Sequence, residues 1–292
     1  MSITPEKNPL VEKKSSSMSI NDIALSAQSM RKKALKLALN AGKNGAHIGG
    51  GFSAMELLST LFLKVMNYNP MNPTWNDRDR FFMSKGHGVL AYYTALWKAG
   101  ILSEEELDHF EENGGDLPGH PVINSKWTIE ASSGSLGMGI GIAAGSALAG
   151  KLNHKDYRCY VLLGDGECDE GTVWETAMSA AHYKLDNLIV LLDHNGIQSD
   201  DSCEKVMSLG DLEKKWVAFG WDVHQVDGHN VKAIYEVLSI PVKEGLPRIV
   251  IANTVKGKGV SFFENTSEWH HGVITQELYD KAINELGGCD ND

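Results

Sequence analysis

Two short runs of the chain are apolar throughout, Cys159-Tyr160-Val161-Leu162-Leu163 and Leu188-Ile189-Val190-Leu191-Leu192, with no helical and no alternating period. A run of that length reads as a strand covered on both faces, as in a parallel sheet. Residues 171–184 between them pattern as a helix, so the stretch 159–195 predicts a β-turn-α-β unit. The alternation continues on either side. Phe81-Phe82-Met83 predicts a short strand upstream, and 221–226 and 247–254 predict two more downstream, the last rich in β-branched residues. Helices are predicted over 21–43, with Ile23, Leu25, Met30, Leu35 and Leu37 apolar, and from a Ser53/Glu56 capping box through about Met66. Others follow Ser84-Lys85-Gly86-His87-Gly88, start at a Ser103/Glu106 cap, or run over 133–151, 209–219, from 231 to about 239, and over 275–286. Strands alternating with helices predict an α/β fold, a parallel sheet with helices on both faces. No repeat and no linker divides the chain. Residues 1–18, polar with two prolines and three consecutive serines, read as a disordered tail, and 19–292 as one domain.

The ends of the two central strands carry the candidate chemistry. The first ends in Gly164-Asp165-Gly166 and the second in Asp193-His194-Asn195. Parallel neighbours put their carboxyl ends side by side, where open α/β sheets bind ligands. Asp165 and Asn195 would then offer two oxygens to one point, which suits a hard cation such as Mg²⁺ completed by phosphate and water. Plainer readings compete. A dinucleotide loop needs GxGxxG or GxGxxA, but the run beginning at Gly164 reaches Asp169 at its last position. An EF-hand beginning at Asp165 would need Gly and Glu where Glu170 and Thr176 stand. An acidic, solvated turn is the bland alternative. Gly139-Ile140-Gly141-Ile142-Ala143-Ala144 does match GxGxxA, but no strand precedes it. The many small residues there point to close approach by another element or subunit, since glycine inside a helix costs about 1 kcal/mol against alanine.

Composition narrows the classes. The chain has 292 residues, 42% of them hydrophobic, ample for a core, and its net charge of −11 argues against a general nucleic-acid surface. No apolar run approaches the roughly 20 residues a membrane span needs. Cys159, Cys168, Cys203 and Cys289 are scattered without CxxC spacing, which fits reduced thiols in the cytoplasm better than a disulfide frame or a zinc site.

Eight motifs then occur in one order: AHIGG, SKGH, LPGHP, SGSLGMG, GDGECDEG, DHNGIQ, DGHN and HHG. Singly they are weak; in this order they resemble the diphosphate-binding, N-terminal part of the transketolase family over about 25–285. The resemblance implies a thiamine diphosphate-binding domain and ketol transfer. By it, Asp165, Asn195 and the Ile197 carbonyl would hold Mg²⁺ or Ca²⁺, and Gly164 and Gly166 would form the turn that brings a backbone N–H to the diphosphate. His87 would touch the diphosphate, and Gly134 and Leu136 would line the aminopyrimidine. His47, His120 and His271 would face the substrate and move protons; His271 is taken over its rival His270 because Gly272 follows it. Glu170 would lie at a contact between subunits. Ile48 departs from the proline common in the family after the first histidine.

Transketolase chains usually continue into a pyrimidine domain whose glutamate activates the cofactor, whereas this sequence ends at Asp292. The resemblance therefore implies one subunit of a split transketolase, working with a C-terminal subunit that brings that domain, as an α2β2 heterotetramer acting on sugars or sugar phosphates. Two alternatives stand beside it: another thiamine diphosphate carboligase making an acyloin or 1-deoxyketose, and a non-catalytic regulatory subunit that keeps the fold.

Overall fold

The computed structural model describes residues 17–288. In chain order the elements are α1 (Ile20–Asn40), α2 (Gly49–Phe52), α3 (Met55–Thr60), β1 (Arg80–Met83), α4 (Val89–Lys98), α5 (Glu104–Asp108), α6 (Met138–Leu152) and β2 (Cys159–Gly164). There follow α7 (Gly171–His182), β3 (Leu188–His194), α8 (Cys203–Val206), α9 (Leu212–Ala218), β4 (Asp222–Asp227), α10 (Val231–Ser239), β5 (Arg248–Asn253) and α11 (Gln276–Glu285). The five strands form one parallel sheet in the order β1-β2-β3-β5-β4.

The missing period in the two apolar runs has a direct cause. Successive side chains of a strand point to opposite faces, and here both faces are covered. Tyr160, Leu162, Ile189 and Leu191 enter one core with residues of α1, α3, α4 and α10. Val161, Leu163, Val190 and Leu192 enter a second core with residues of α6, α7 and α9. The register sets Gly164 beside Asp193, and Asp193 beside Ala252, so the strands end together on one edge.

Two capping boxes form. The Ser19 side chain accepts from the Asp22 N–H, and Ser103 with Glu106 behaves as expected. The Ser53/Glu56 box does not. Helix α3 starts at Met55 with Ala54 as its cap, and it runs on as a π-helical stretch, Leu61–Val65. Both side chains are claimed by distant partners. Ser53 Oγ donates to Asp193 at 2.6 Å, and Glu56 takes Arg31 in a two-pronged pair at 2.5 and 2.6 Å. A buried charged partner outcompetes a local backbone N–H. The first helix also ends earlier than expected, at Asn40, and Leu25 is exposed on it. Of the predicted tail, residues 1–16 lie outside the described residues; the Met18 carbonyl accepts from Lys64 Nζ.

The small residues of α6 serve two ends. Gly139 lies against the turn after β1, where a Cβ would come within 2.6 Å of Ser84 Cα, and Gly150 lies against the Tyr157 ring. Met138 and Ile142 are exposed on the same helix. Because the obstacle at Gly139 is backbone, Gly139→Ala should cost about 1–3 kcal/mol of stability, read by denaturant unfolding.

Candidate active site

At the carboxyl edge of β2 and β3 the structure opens a cleft of about 260 Å³. His47, His87, His120, Gly134, Leu136, Gly164, Asp165, Gly166, Asn195 and Ile197 all line it. These residues span 150 positions of sequence; the parallel register and the loops around it bring them together. Glu170 lies outside the cleft wall, packed beside Gly137.

Asp165 is buried. Its two oxygens accept the N–H groups of Gly166 at 2.7 Å and Gly196 at 2.6 Å, and it pairs with no cationic side chain among the described residues. Burial, and then the neighbouring Asp193, push its pKa upward. A carboxylate held this way gains from a bound cation. The Gly166 N–H expected on a phosphate is committed here to Asp165. Gly166 also contributes space, since a Cβ there would meet the Gln198 side chain at 2.8 Å.

Beneath this turn Asp193, fully buried, pairs with Lys85. Burial alone would raise its pKa, but Lys85 and the Ser53 and Thr254 hydroxyls hold it below the ordinary carboxylate value. Lys256, also buried, donates to the carbonyls of Ile197 at 3.0 Å and Gln198 at 2.7 Å, and to His270 Nδ1 at 3.0 Å. Burial, and then Lys85, push its pKa down to about 8. Two backbone oxygens thus already face a cation. Among the described residues no three His, Cys, Asp or Glu side chains gather as a metal site. The candidate set mixes one carboxylate, one amide and one carbonyl, all hard oxygens, which fits Mg²⁺ or Ca²⁺.

The histidines form a cluster about His47. Its ring centroid lies 5.6 Å from His87, 5.3 Å from His120, 5.5 Å from His270 and 4.5 Å from His271. The structure sets the last two in different surroundings. His270 is half-buried and lines the cleft, 5.0 Å from the His87 ring, while His271 is exposed and does not line it. Lys256 donates to His270 Nδ1, so the proton of neutral His270 sits on Nε2. Gly272 follows the pair for another reason: its N–H and carbonyl bridge to Ala46, closing the HHG loop onto His47. Lys85, Lys256, Glu167 and Gln198 also line the cleft, unassigned from sequence. Lys85 does lie in the SKGH motif, but a lysine's burial is set by partners far along the chain.

Burial, and then the neighbouring histidines and Lys256, push His47 down to about 3. His270 falls to about 4 through burial and Lys256, and His87 and His120 are lowered, first by burial. All four are neutral at pH 7, each with one ring nitrogen that can donate and one that can accept a hydrogen bond. Their folded pKa values lie below the ordinary 6.5, so their contribution to stability is complete above pH 6.5 and is lost as pH falls below it, for His47 and His270 down toward 3–4. The unfolding midpoint should therefore drop between pH 7.5 and pH 5, and His47→Asn should flatten that slope in thermal melts.

A parallel sheet whose carboxyl edge sets an acidic turn beside neutral histidines defines an α/β ligand-binding domain. A family model described as "Transketolase, thiamine diphosphate binding domain" matches residues 26–290, and the chain belongs to the transketolase family. It is 40% identical over 270 residues to a protein of Phocaeicola vulgatus named as a subunit of apulose-4-phosphate transketolase, covering 92% of this chain and 95% of that one. A Clostridium protein named 6-deoxy-6-sulfo-D-fructose transketolase subunit SqwG is 40% identical over 247 residues, 84% of this chain and 90% of that one. Human transketolase is 37% identical over 235 residues, 80% of this chain but 37% of its own length. The solved transketolase of Campylobacter jejuni superimposes with a TM-score of 0.85 at 29% identity, covering 93% of this chain and 43% of that chain. The chain thus spans less than half of the longer transketolases and nearly all of the subunits. It is a transketolase-type transferase subunit that carries the thiamine diphosphate-binding domain.

Proposed function

We propose that this chain anchors the diphosphate end of thiamine diphosphate in a two-chain transketolase and is active only with a C-terminal subunit bringing the pyrimidine domain and activating glutamate. The observation that carries this reading is the convergence of Asp165, Asn195 and the Ile197 carbonyl on one cleft with four neutral histidines. Asp165, Asn195 and Ile197 would hold Mg²⁺ or Ca²⁺. His87 would touch the diphosphate, and Gly134 and Leu136 would line the aminopyrimidine. When bound, thiamine diphosphate supplies the carbon nucleophile that takes up and hands on a two-carbon ketol unit.

The work of this chain is to orient and to move protons. His47, His120 and His270 lie in one wall, where substrate hydroxyls must lose and regain protons near neutral pH. Because His270 lines the cleft with its proton on Nε2, we assign that role to it in preference to His271. The two relatives at 40% identity are named for different ketoses, one a phosphate and one a sulfonate, which supports a donor specificity set largely on the partner. Exposed Met138 and Ile142 on α6, and Met178 and Tyr183 on or beside α7, support a subunit contact on that face and an α2β2 assembly. Among the described residues no helix is long and apolar enough to cross a membrane, and three free, buried cysteines favour a reducing compartment, the cytoplasm.

The test is ketol transfer by the purified chain with and without the C-terminal subunit, across a panel of ketose donors. The chain alone should show no measurable turnover and the pair should restore it. A normal rate from the chain alone overturns the proposal.

A further inference from the structure

Asp193 has no place among the residues assigned so far, yet it sits at the centre of the carboxyl edge. It is fully buried, the next-to-last residue of β3, in register between Gly164 and Ala252. Its oxygens collect donors from four segments. Ser53 Oγ reaches Oδ2 at 2.6 Å from between α2 and α3, Lys85 Nζ reaches Oδ2 from beyond β1, and Thr254 Oγ1 reaches Oδ1 from beyond β5. The fourth donor is Asn195 Nδ2, to Oδ2 at 3.2 Å.

That last bond has a consequence for the cleft. A carboxylate can only accept, so the group that faces Asp193 must be the amide NH₂. On the other side, Asn195 Oδ1 accepts the Ile197 N–H at 3.2 Å. Both contacts select the same orientation. Turned over, the amide would set its oxygen against a carboxylate and its NH₂ against an N–H, two repulsions in place of two bonds. We infer that Asp193 is a positioning residue that locks the Asn195 amide with its oxygen available to a divalent cation in the cleft. The inference rests on the cation reading of the site. It also explains why an amide, not a second carboxylate, stands there: Asn195→Asp would place like charges about 3.2 Å apart.

The test uses the full chain and two readouts. Without metal, the side-chain amide signal of Asn195 in ¹⁵N NMR should exchange slowly in the wild type and rapidly in Asp193→Asn. With thiamine diphosphate present, Mn²⁺ titration followed by electron paramagnetic resonance should show Asp193→Asn binding about 10-fold or more weakly. Ser53→Ala and Thr254→Val remove other donors to Asp193 without touching Asn195, and should stay within about 2-fold of the wild type; equal losses from them would make Asp193 a structural hub only and overturn the inference. Where Asp193→Asn fails to fold, Lys85→Gln/Asp193→Asn removes both buried charges together and is read the same way. An unlocked amide with unchanged Mn²⁺ affinity overturns the inference, as does an Asn195 amide equally protected in wild type and variant. A wild type that binds no Mn²⁺ while its amide is locked overturns instead the cation reading.

Discussion

Replacing Asp165 with alanine should abolish metal-dependent binding of thiamine diphosphate, a loss on the order of 100-fold or more, while leaving the chain folded. Losing even a residue that only supports a metal ligand costs 10–100-fold in affinity, and Asp165 is the one carboxylate of the proposed set. The fold should tolerate the change because this carboxylate stabilises little. Its pKa is raised in the folded chain by burial and by Asp193, so the ionised form is held there at a cost. What it gives back locally is two accepted N–H bonds, from Gly166 and Gly196. Calorimetric titration with cofactor and Mg²⁺, beside a thermal melt of the same protein, separates the two effects. Unchanged affinity removes Asp165 from the site; an unfolded variant shows that its role is structural.

The opposite behaviour is expected at Glu56. Glu56→Ala should destabilise the fold by about 3–5 kcal/mol, because it strands the guanidinium of Arg31, itself buried, without its partner. The pair is one end of a longer chain. Glu56 also accepts from His229 Nδ1 at 2.9 Å, and His229 Nε2 accepts the Val255 N–H at 2.8 Å. Burial alone would raise the pKa of Glu56, but His229 and Arg31 hold it down at about 2. Its folded value lies below the ordinary 4.5, so its stabilisation is complete above pH 4.5 and is lost as pH falls through 2. Val255 precedes Lys256, so the same variant should also loosen the loop that seats Lys256 and His270 and weaken cofactor binding. Denaturant unfolding measures the first effect. Arg31→Met/Glu56→Leu should recover most of the loss, since replacing a buried pair by apolar side chains is often neutral; a double variant as unstable as the single would refute the stranded-charge explanation.

The amino-acid sequence by itself determined the elements and the two strand ends. Its apolar runs located β2 and β3, the turns after them held Asp165 and Asn195, and the motif order pointed to the family. Those signals are local: a strand covered on both faces is uniformly apolar wherever it lies. Only the tertiary structure decided which charged side chains meet. Ser53 and Glu56 have capping-box spacing, yet one serves Asp193, 140 positions away, and the other Arg31 and His229, 25 and 173 positions away. His270 and His271 are adjacent and chemically identical, and only the fold turns the first to Lys256 and the cleft and leaves the second exposed. Lys85 and Asp193, 108 positions apart, become a buried pair because β1, β2 and β3 run parallel and end on one edge. Burial makes each of these contacts strong, and burial is a property of the assembled sheet and its helices, not of any segment alone.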